Sequence, residues 1–481
     1  MQDKIIVCQY NIKIKNIYQY RKNSWRYLLK YIKNKEQLLS HGNHKLREIA
    51  IEIVEHALAK ADSYVATNKL VKLENNILYV GKQTFNLSNV GKIYVIGAGK
   101  ATYPIAKALE EILLNKIYDG AIICKYGQEG QLKRIRVYHA SHPFPDENGF
   151  SAAKEVLKLA NNTKENDLIF SCITGGSSAL MPYPANNISL EDKHLVNKLL
   201  LTCGANIIEI NSVRKHLSQI KGGRLAKNIH PKAHLINLTV SDVIGDPLDY
   251  ITGPTVPDTS TFDDARKVIS KYKLWDKLPE SAIFYLKKGN QENESPKPDD
   301  LKNHHIDTYV IVPGDSACMG AEEKAKQLKL NTMILSTMFE GESAELGRTF
   351  ISIGKEIYLN NRPINRPCAI IAGGETTIKL GNNYGLGGPN QEFAMSSLLY
   401  MKNINNMLVL GLDTDGTDGP TDIAGAMVDS QSIIEAEKHG ISIQEELSKH
   451  NETEILLKIN DAILTGATGT NVNDLKILVI L

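Results

Sequence analysis

The stretch Lys92-Ile93-Tyr94-Val95-Ile96-Gly97-Ala98-Gly99-Lys100-Ala101 decides the fold class. Lys92–Ile96 is short, apolar and rich in β-branched residues, the pattern of a buried strand, and two glycines follow it. Beyond them, apolar residues fall at helical spacing from near Ala101 to Leu114. A strand that ends in glycine and passes into a helix opens a βαβ unit, and its backbone N–H groups can face an anion without side-chain obstruction. Six more glycine-rich signatures follow: Thr174-Gly175-Gly176-Ser177-Ser178, Lys221-Gly222-Gly223-Arg224, Ser241-Asp242 to Pro254, Gly373-Gly374-Glu375-Thr376, Asp415-Gly416-Thr417-Asp418-Gly419-Pro420 and Thr468-Gly469-Thr470-Asn471. All but one of the seven come after a run that reads as a buried strand. Spread over both halves of the chain, they point to one polyanion-binding cleft shared by two domains.

Working outward, apolar spacing predicts a helix from His44 to Val65, a two-strand stretch around 70–80, and strands at Ala121–Lys125, Arg134–His139, Asp167–Thr174 and His234–Val240. Helices are expected between them, at Asp146–Ala160, Ser177–Leu180, Leu190–Leu201 and Asn211–Gln219. This alternation predicts a parallel sheet covered on both faces. Residues 288–305 are polar and carry Pro296 and Pro298, so they read as a linker or exposed loop. Beyond it, strands at Thr308–Pro313, Asn331–Ser336, Ala369–Gly373 and Met407–Gly411 alternate with helices at Ala317–Leu328, Ser343–Tyr358 and Gln391–Tyr400. A hairpin around Asn382-Asn383 would make this second sheet mixed. The expected organisation is a basic extension (1–40), an α/β domain (41–287), the linker (288–305) and a smaller α/β domain (306–481).

A chain of 481 residues needs more than one core, and 42% hydrophobic with 23% charged content is that of a globular protein. No run approaches the roughly 18 apolar residues of a membrane span. The net charge of +2 gives no support for nucleic-acid binding. Six scattered cysteines without a CxxC pair fit a reducing, cytoplasmic setting. The first 36 residues hold nine basic side chains against Asp3 and Glu36, which suits a targeting segment or a dispensable extension. A homodimer is left open.

The individual signatures suggest chemistry. At Gly97-Ala98-Gly99 a dinucleotide fingerprint would need a third glycine where Thr102 stands and an acid where the next strand ends at Lys125, so NAD binding is disfavoured. Gly97 and Gly99 then frame Lys100, a cation suited to phosphate oxygens. Neither a Walker motif nor G-x-S-x-G occurs. Gly175 and Gly176 would let an anion approach, with Ser177 and Ser178 capping the helix or donating hydroxyl bonds. Arg214, Lys215, His216, Lys221 and Arg224, around Gly222 and Gly223, form either a solvated basic face or an anion site. Asp242, Asp246, Asp415 and Asp418 lie after strands, where carboxylates suit Mg²⁺, although Asp-Gly is also ordinary turn chemistry. Gly374, Glu375, Asn390, Gln391 and Glu392 bracket the expected hairpin and would aim amides and a helix start at the same mouth.

Taken in order, these strings, together with Ser141-His142-Pro143-Phe144-Pro145-Asp146, Gly253-Pro254-Thr255 and Thr468-Gly469-Thr470-Asn471, resemble the glycerate 2-kinases with a C-terminal MOFRL domain, over about residues 40–481. The resemblance implies phosphorylation of D-glycerate to 2-phosphoglycerate with ATP and Mg²⁺, in a cleft between a Rossmann-like α/β/α domain and a smaller α/β domain. It places the family's catalytic lysine on Lys100. Together with the residue chemistry above, substrate and nucleotide contacts are expected at the glycine turns, Ser177, Ser178, Arg214, Lys221, Glu375 and Asn390 to Glu392, and Mg²⁺ near Asp242, Asp415 or Asp418. The family pattern Gly-Gly-Arg-Asn-Gln-Glu is broken here, because Pro389 replaces its arginine. Thr252 and Ala467 replace a usual serine and proline. The competing readings are a hydroxypyruvate reductase and a non-catalytic sugar-acid or nucleotide-binding protein.

Overall fold

A computed structural model describes residues 31–128, 130–243, 245, 247–381, 383–402 and 404–481. Residues 1–30 of the basic extension, Asp246 and the tip residue Asn382 lie outside the described residues. The chain forms two compact units: 61–316 with 469–473, and 31–60 with 317–468 and 474–481. No helix among the described residues is long and apolar enough to cross a membrane.

The first unit is built on six strands: β4 (Ile93–Ala98), β5 (Ile117–Lys125), β6 (Arg136–Ala140), β7 (Leu168–Ile173), β8 (His234–Val240) and β9 (His305–Val312). Preceding them, β1 (Val71–Glu74), β2 (Ile77–Val80) and β3 (Gln83–Asn86) make a small antiparallel sheet. The main sheet is wholly parallel, in the order β6-β5-β4-β7-β8-β9. Every residue of β4 and β7 is buried, as strands covered on both faces must be. The strand order reverses between β4 and β7, so their carboxyl ends form the switch point at which open α/β sheets bind ligands.

The second unit holds β10 (Asn331–Phe339), β11 (Cys368–Gly374), β12 (Met407–Asp413), β13 (Gly425–Asp429), β14 (Ala462–Ile463) and β15 (Asp474–Ile480), in the order β10-β11-β15-β12-β13-β14. Only β10 and β11 run parallel; the other pairs are antiparallel. The sheet is mixed as expected, but not through a hairpin near 382. The last strand, β15, inserts between β11 and β12, and all seven of its residues are buried.

Several boundaries differ from those read in the sequence. The helix expected at 44–65 is two, His44–Lys60 and Ser63–Leu70, because Asp62 caps the second by accepting from Val65 N. His44–Lys60 packs in the second unit. Its Arg47, fully buried, donates to Asp429 and Asp461 at 2.8 Å each and to Leu38 O at 2.9 Å. Residues 31–40 also pack there, with Leu38 buried and Asn34 Nδ2 donating to Ala462 O. The supposed linker is part of the first unit: Glu294 accepts from His216, Ser295 is buried, and β9 begins at His305. The helix expected from Asn211 starts at Ile207, where Asn206 and Glu209 form a capping box.

Candidate active site

At the switch point the glycines are demanded first by packing. A Cβ on Gly97 would stand 2.3 Å from Cys172 O, and one on Gly99, at φ +144°, would stand 2.1 Å from Thr174 Oγ1. Both therefore serve the close approach of β4 to β7. The turn they permit ties Lys100 N to Gly175 O at 2.9 Å, while Thr102 Oγ1 donates to Cys172 O at 2.7 Å. Gly175 is crowded by Asp242, which accepts from Asn471 Nδ2 at 3.0 Å. Gly176 has φ 84° and takes the cap position of the helix Ser177–Leu180, so neither serine is the cap. A Cβ on Gly176 would lie 3.3 Å from Lys100 Cγ and 3.2 Å from His142 Cδ2, which puts the Lys100 stem beside His142.

Next to this turn the first unit has a cavity of about 700 Å³. Its polar wall is Gly176, Ser178, Lys193, Arg214 and Lys221 with His142, and Phe144 and Leu201 contribute apolar surface. The helix Leu190–Thr202 carries Lys193, Ile207–His216 carries Arg214, and the turn at Gly222-Gly223 follows Lys221. Lys221 Nζ donates to Ser178 Oγ, and Arg214 Nε donates to Asn197 Oδ1 at 3.0 Å. Lys193 is only 4% exposed, and among the described residues its Nζ has no hydrogen-bond partner. Burial, reinforced by Arg214, lowers the Lys193 ammonium to about 7. Burial also lowers Lys221 to about 7, helped by Lys193, Arg214 and Lys215. Burial lowers Arg214 as well. A buried cation with no partner, as at Lys193, costs several kcal/mol, and Arg214 and Lys221 add positive charge to the same wall.

The basic run read from the sequence thus divides. Arg214 and Lys221 face the cavity. Lys215 pairs with Asp249 and Asp258, and buried His216 lies between Ser212 O and Glu294, each at 2.6 Å. Arg224 donates to Asn293 O at 2.8 Å. Lys193 was missed because in Glu191-Asp192-Lys193 it reads as part of a solvated helix face. Its burial comes from segments brought together by the fold.

Of the second-unit candidates, Asn390, Gln391 and Asp418 share a polar network with Asp474 and Lys476. Asp418 caps the helix Pro389–Leu398: Oδ1 accepts from Asn390 N and Nδ2, and Oδ2 accepts from Gln391 N and Nε2, at 2.9–3.1 Å. Asn390 Nδ2 also donates to Asp474 Oδ1 at 2.6 Å, and Lys476 Nζ donates to Asp474 Oδ2 at 2.6 Å. Burial raises Asp418 to about 6. With four N–H donors on its two oxygens, Asp418 holds the start of this helix. Pro389 occupies the first turn, where a missing N–H costs nothing. Asp415 Oδ1 accepts from Thr417 N at 2.8 Å and Oγ1 at 2.7 Å, an oxygen-rich turn compatible with Mg²⁺. Gly374 ends β11 at φ 127° and Glu375 is exposed beyond it. Glu392 is buried and bonds His450 Nδ1 at 2.8 Å.

Residues 49–287 match a domain of unknown function (DUF4147), and residues 368–474 match the MOFRL family. The chain is 41% identical over 437 residues to a glycerate 2-kinase of Pyrococcus horikoshii, covering 90% of this chain and 97% of that protein. It is 37% identical over 393 residues to a protein of Agrobacterium vitis named putative hydroxypyruvate reductase, covering 81% of this chain and 100% of that one. The crystal structure of glycerate kinase from Thermotoga maritima matches with a TM-score of 0.78 at 36% identity, covering 91% of this chain and 100% of that one.

Proposed function

The chain belongs to the glycerate 2-kinase family with a C-terminal MOFRL domain, and we propose that it transfers the γ-phosphoryl group of ATP to the C2 hydroxyl of D-glycerate. The new bond joins the C2 oxygen to phosphorus, the bond to ADP breaks, the hydroxyl proton is released, and 2-phosphoglycerate forms. One observation carries this reading: Lys193, Arg214 and Lys221 line one cavity at the switch point, and Lys193 Nζ has no hydrogen-bond partner among the described residues. A small carboxylate or phosphate meets that demand.

In this proposal the cavity cations hold the glycerate carboxylate and orient its C2 hydroxyl, with Ser178 fixing Lys221. Lys100, beside Gly176, neutralises charge that develops on the transferred group. The cavity supplies positioning, which accounts for most of phosphoryl-transfer catalysis. Mg²⁺ bound with ATP supplies charge neutralisation of the phosphates, and Asp242 or Asp415 provides its carboxylate; Asp418 does not. A cytoplasmic setting suits the free, buried Cys124 and Cys172. The reductase reading lacks its residues, since Thr102 stands at the third glycine position and β5 ends at Lys125.

The test is the purified full chain with D-glycerate and Mg²⁺-ATP, scoring ADP and the phosphoglycerate isomer, with NADH and hydroxypyruvate in a parallel assay. Formation of ADP and 2-phosphoglycerate without NADH oxidation supports the proposal. NADH oxidation without ADP formation, or the 3-phospho isomer as product, refutes it.

A further inference from the structure

Outside the cavity, the second unit contains a second group of polar side chains with an unmet demand. Glu392 lies in the first turn of the helix Pro389–Leu398, His450 follows the helix Ile443–Ser448 at φ 51°, and Glu452 is the first residue of the helix Glu452–Lys458. One ligand atom from each lies within 4.8 Å of the others, and this is the only such trio of His, Cys, Asp or Glu among the described residues. Glu392 and Glu452 are buried, whereas the His450 side chain is 21% exposed, so the group has an opening to solvent.

Glu452 supplies the independent observation. It is fully buried, and among the described residues neither carboxylate oxygen has a hydrogen-bond partner on another residue. Gly387 packs directly over it, and a Cβ there would stand 1.9 Å from Oε2. The charges acting on Glu452 include those of Glu392, Asp418 and Glu446, all carboxylates. Within the trio the one group able to carry positive charge is His450, already bonded to Glu392 at 2.8 Å. A buried carboxylate in such a field must either take up a proton or gain a cation.

We propose that Glu392, His450 and Glu452 bind one divalent transition-metal ion, Zn²⁺ best of all, which pins the helix Glu452–Lys458 and the His450 turn to the helix beginning at Pro389. An imidazole nitrogen with two carboxylate oxygens is a Zn²⁺ donor set, and the exposed side leaves a fourth position for water. Mg²⁺ and Ca²⁺ prefer six or more oxygens, which the trio does not offer. The trio includes neither Asp242 nor Asp415, and its role is structural.

The experiment uses the full chain, stripped with a chelator and titrated with ZnCl₂ or MgCl₂, with metal content measured by mass spectrometry and Tm by calorimetry. About one Zn²⁺ per chain is expected to survive gel filtration and to raise the Tm by roughly 3 °C or more, with no such shift from Mg²⁺. Glu452→Gln and His450→Asn are each expected to lower Zn²⁺ affinity at least a hundredfold. His450→Asn changes the most exposed ligand and serves if the first variant does not fold. Absence of retained Zn²⁺ and of a Zn²⁺-dependent Tm shift in the unsubstituted chain overturns the proposal, leaving Glu452 protonated. Unchanged Zn²⁺ binding in both variants also overturns it. Because the readouts are metal content and Tm, they stand apart from kinase activity.

Discussion

Replacing Lys193 by methionine should stabilise the free protein and abolish its response to glycerate. In the folded chain burial lowers Lys193 from 10.5 to about 7. At or below pH 7 the folded state holds a charge that the unfolded chain carries freely, and about 3.5 pKa units correspond to at most about 5 kcal/mol. The sign follows from proton counts. Between pH 7 and 10.5 the unfolded state binds more protons, so stability from this group rises with pH across that window. Methionine removes the charge and keeps an unbranched apolar stem. It also relieves Lys221, whose ammonium Lys193 opposes. With solvent and relaxation reducing the ceiling, a gain of about 2 kcal/mol at pH 6, or roughly 4–8 °C in Tm, is expected. The gain should shrink toward pH 10. Melting curves of both proteins at pH 6, 8 and 10, with and without D-glycerate, measure each part. A variant less stable than the parent at pH 6, or one equally stabilised by D-glycerate, would refute the reasoning that an anion answers this buried cation.

Three further outcomes follow from particular contacts. Lys100→Ala should lower kcat/KM about a hundredfold or more with little change in Tm, and near-normal turnover would remove Lys100 from the chemistry. Arg47→Ala leaves Asp429 and Asp461 buried without their cation, so a loss of about 3–5 kcal/mol is expected in urea melts of the second unit. The kcat/KM for D-glycerate should fall above pH 7, about tenfold per unit as one of Lys193 and Lys221 loses its proton and more steeply as both do, since binding needs their protonated forms. A flat profile from pH 6 to 9 would mean that neither lysine titrates while contacting substrate.

Local signals in the chain were enough for the parallel sheet. The strand from His234 to Val240 has the limits that hydrophobicity and flanking polar residues suggest, and β4, β7 and their glycine turns follow the same logic. The placement of Lys100 at the switch point also follows from a short pattern, because strand, glycine turn and helix start are contiguous. Contacts distant in sequence were not legible. Residues 44–60 read as the start of the first domain, yet Arg47 reaches Asp429 and Asp461 across more than 380 positions. Residues 474–480 form a central strand only because β11 and β12 bind its two edges. The amides that close around Asp418 belong to Asn390 and Gln391, 28 and 27 positions away in the chain.

The sequence by itself determined which segments are strands and helices and which turns must be glycine, since both depend on neighbours within a few residues. Tertiary structure alone decided which charged groups are buried and unpaired. Lys193 beside Glu191 and Asp192 is a surface lysine in one dimension. It becomes a buried cation on a shared cavity wall only when the fold brings Arg214 and Lys221 near it, because desolvation and mutual repulsion depend on spatial neighbours.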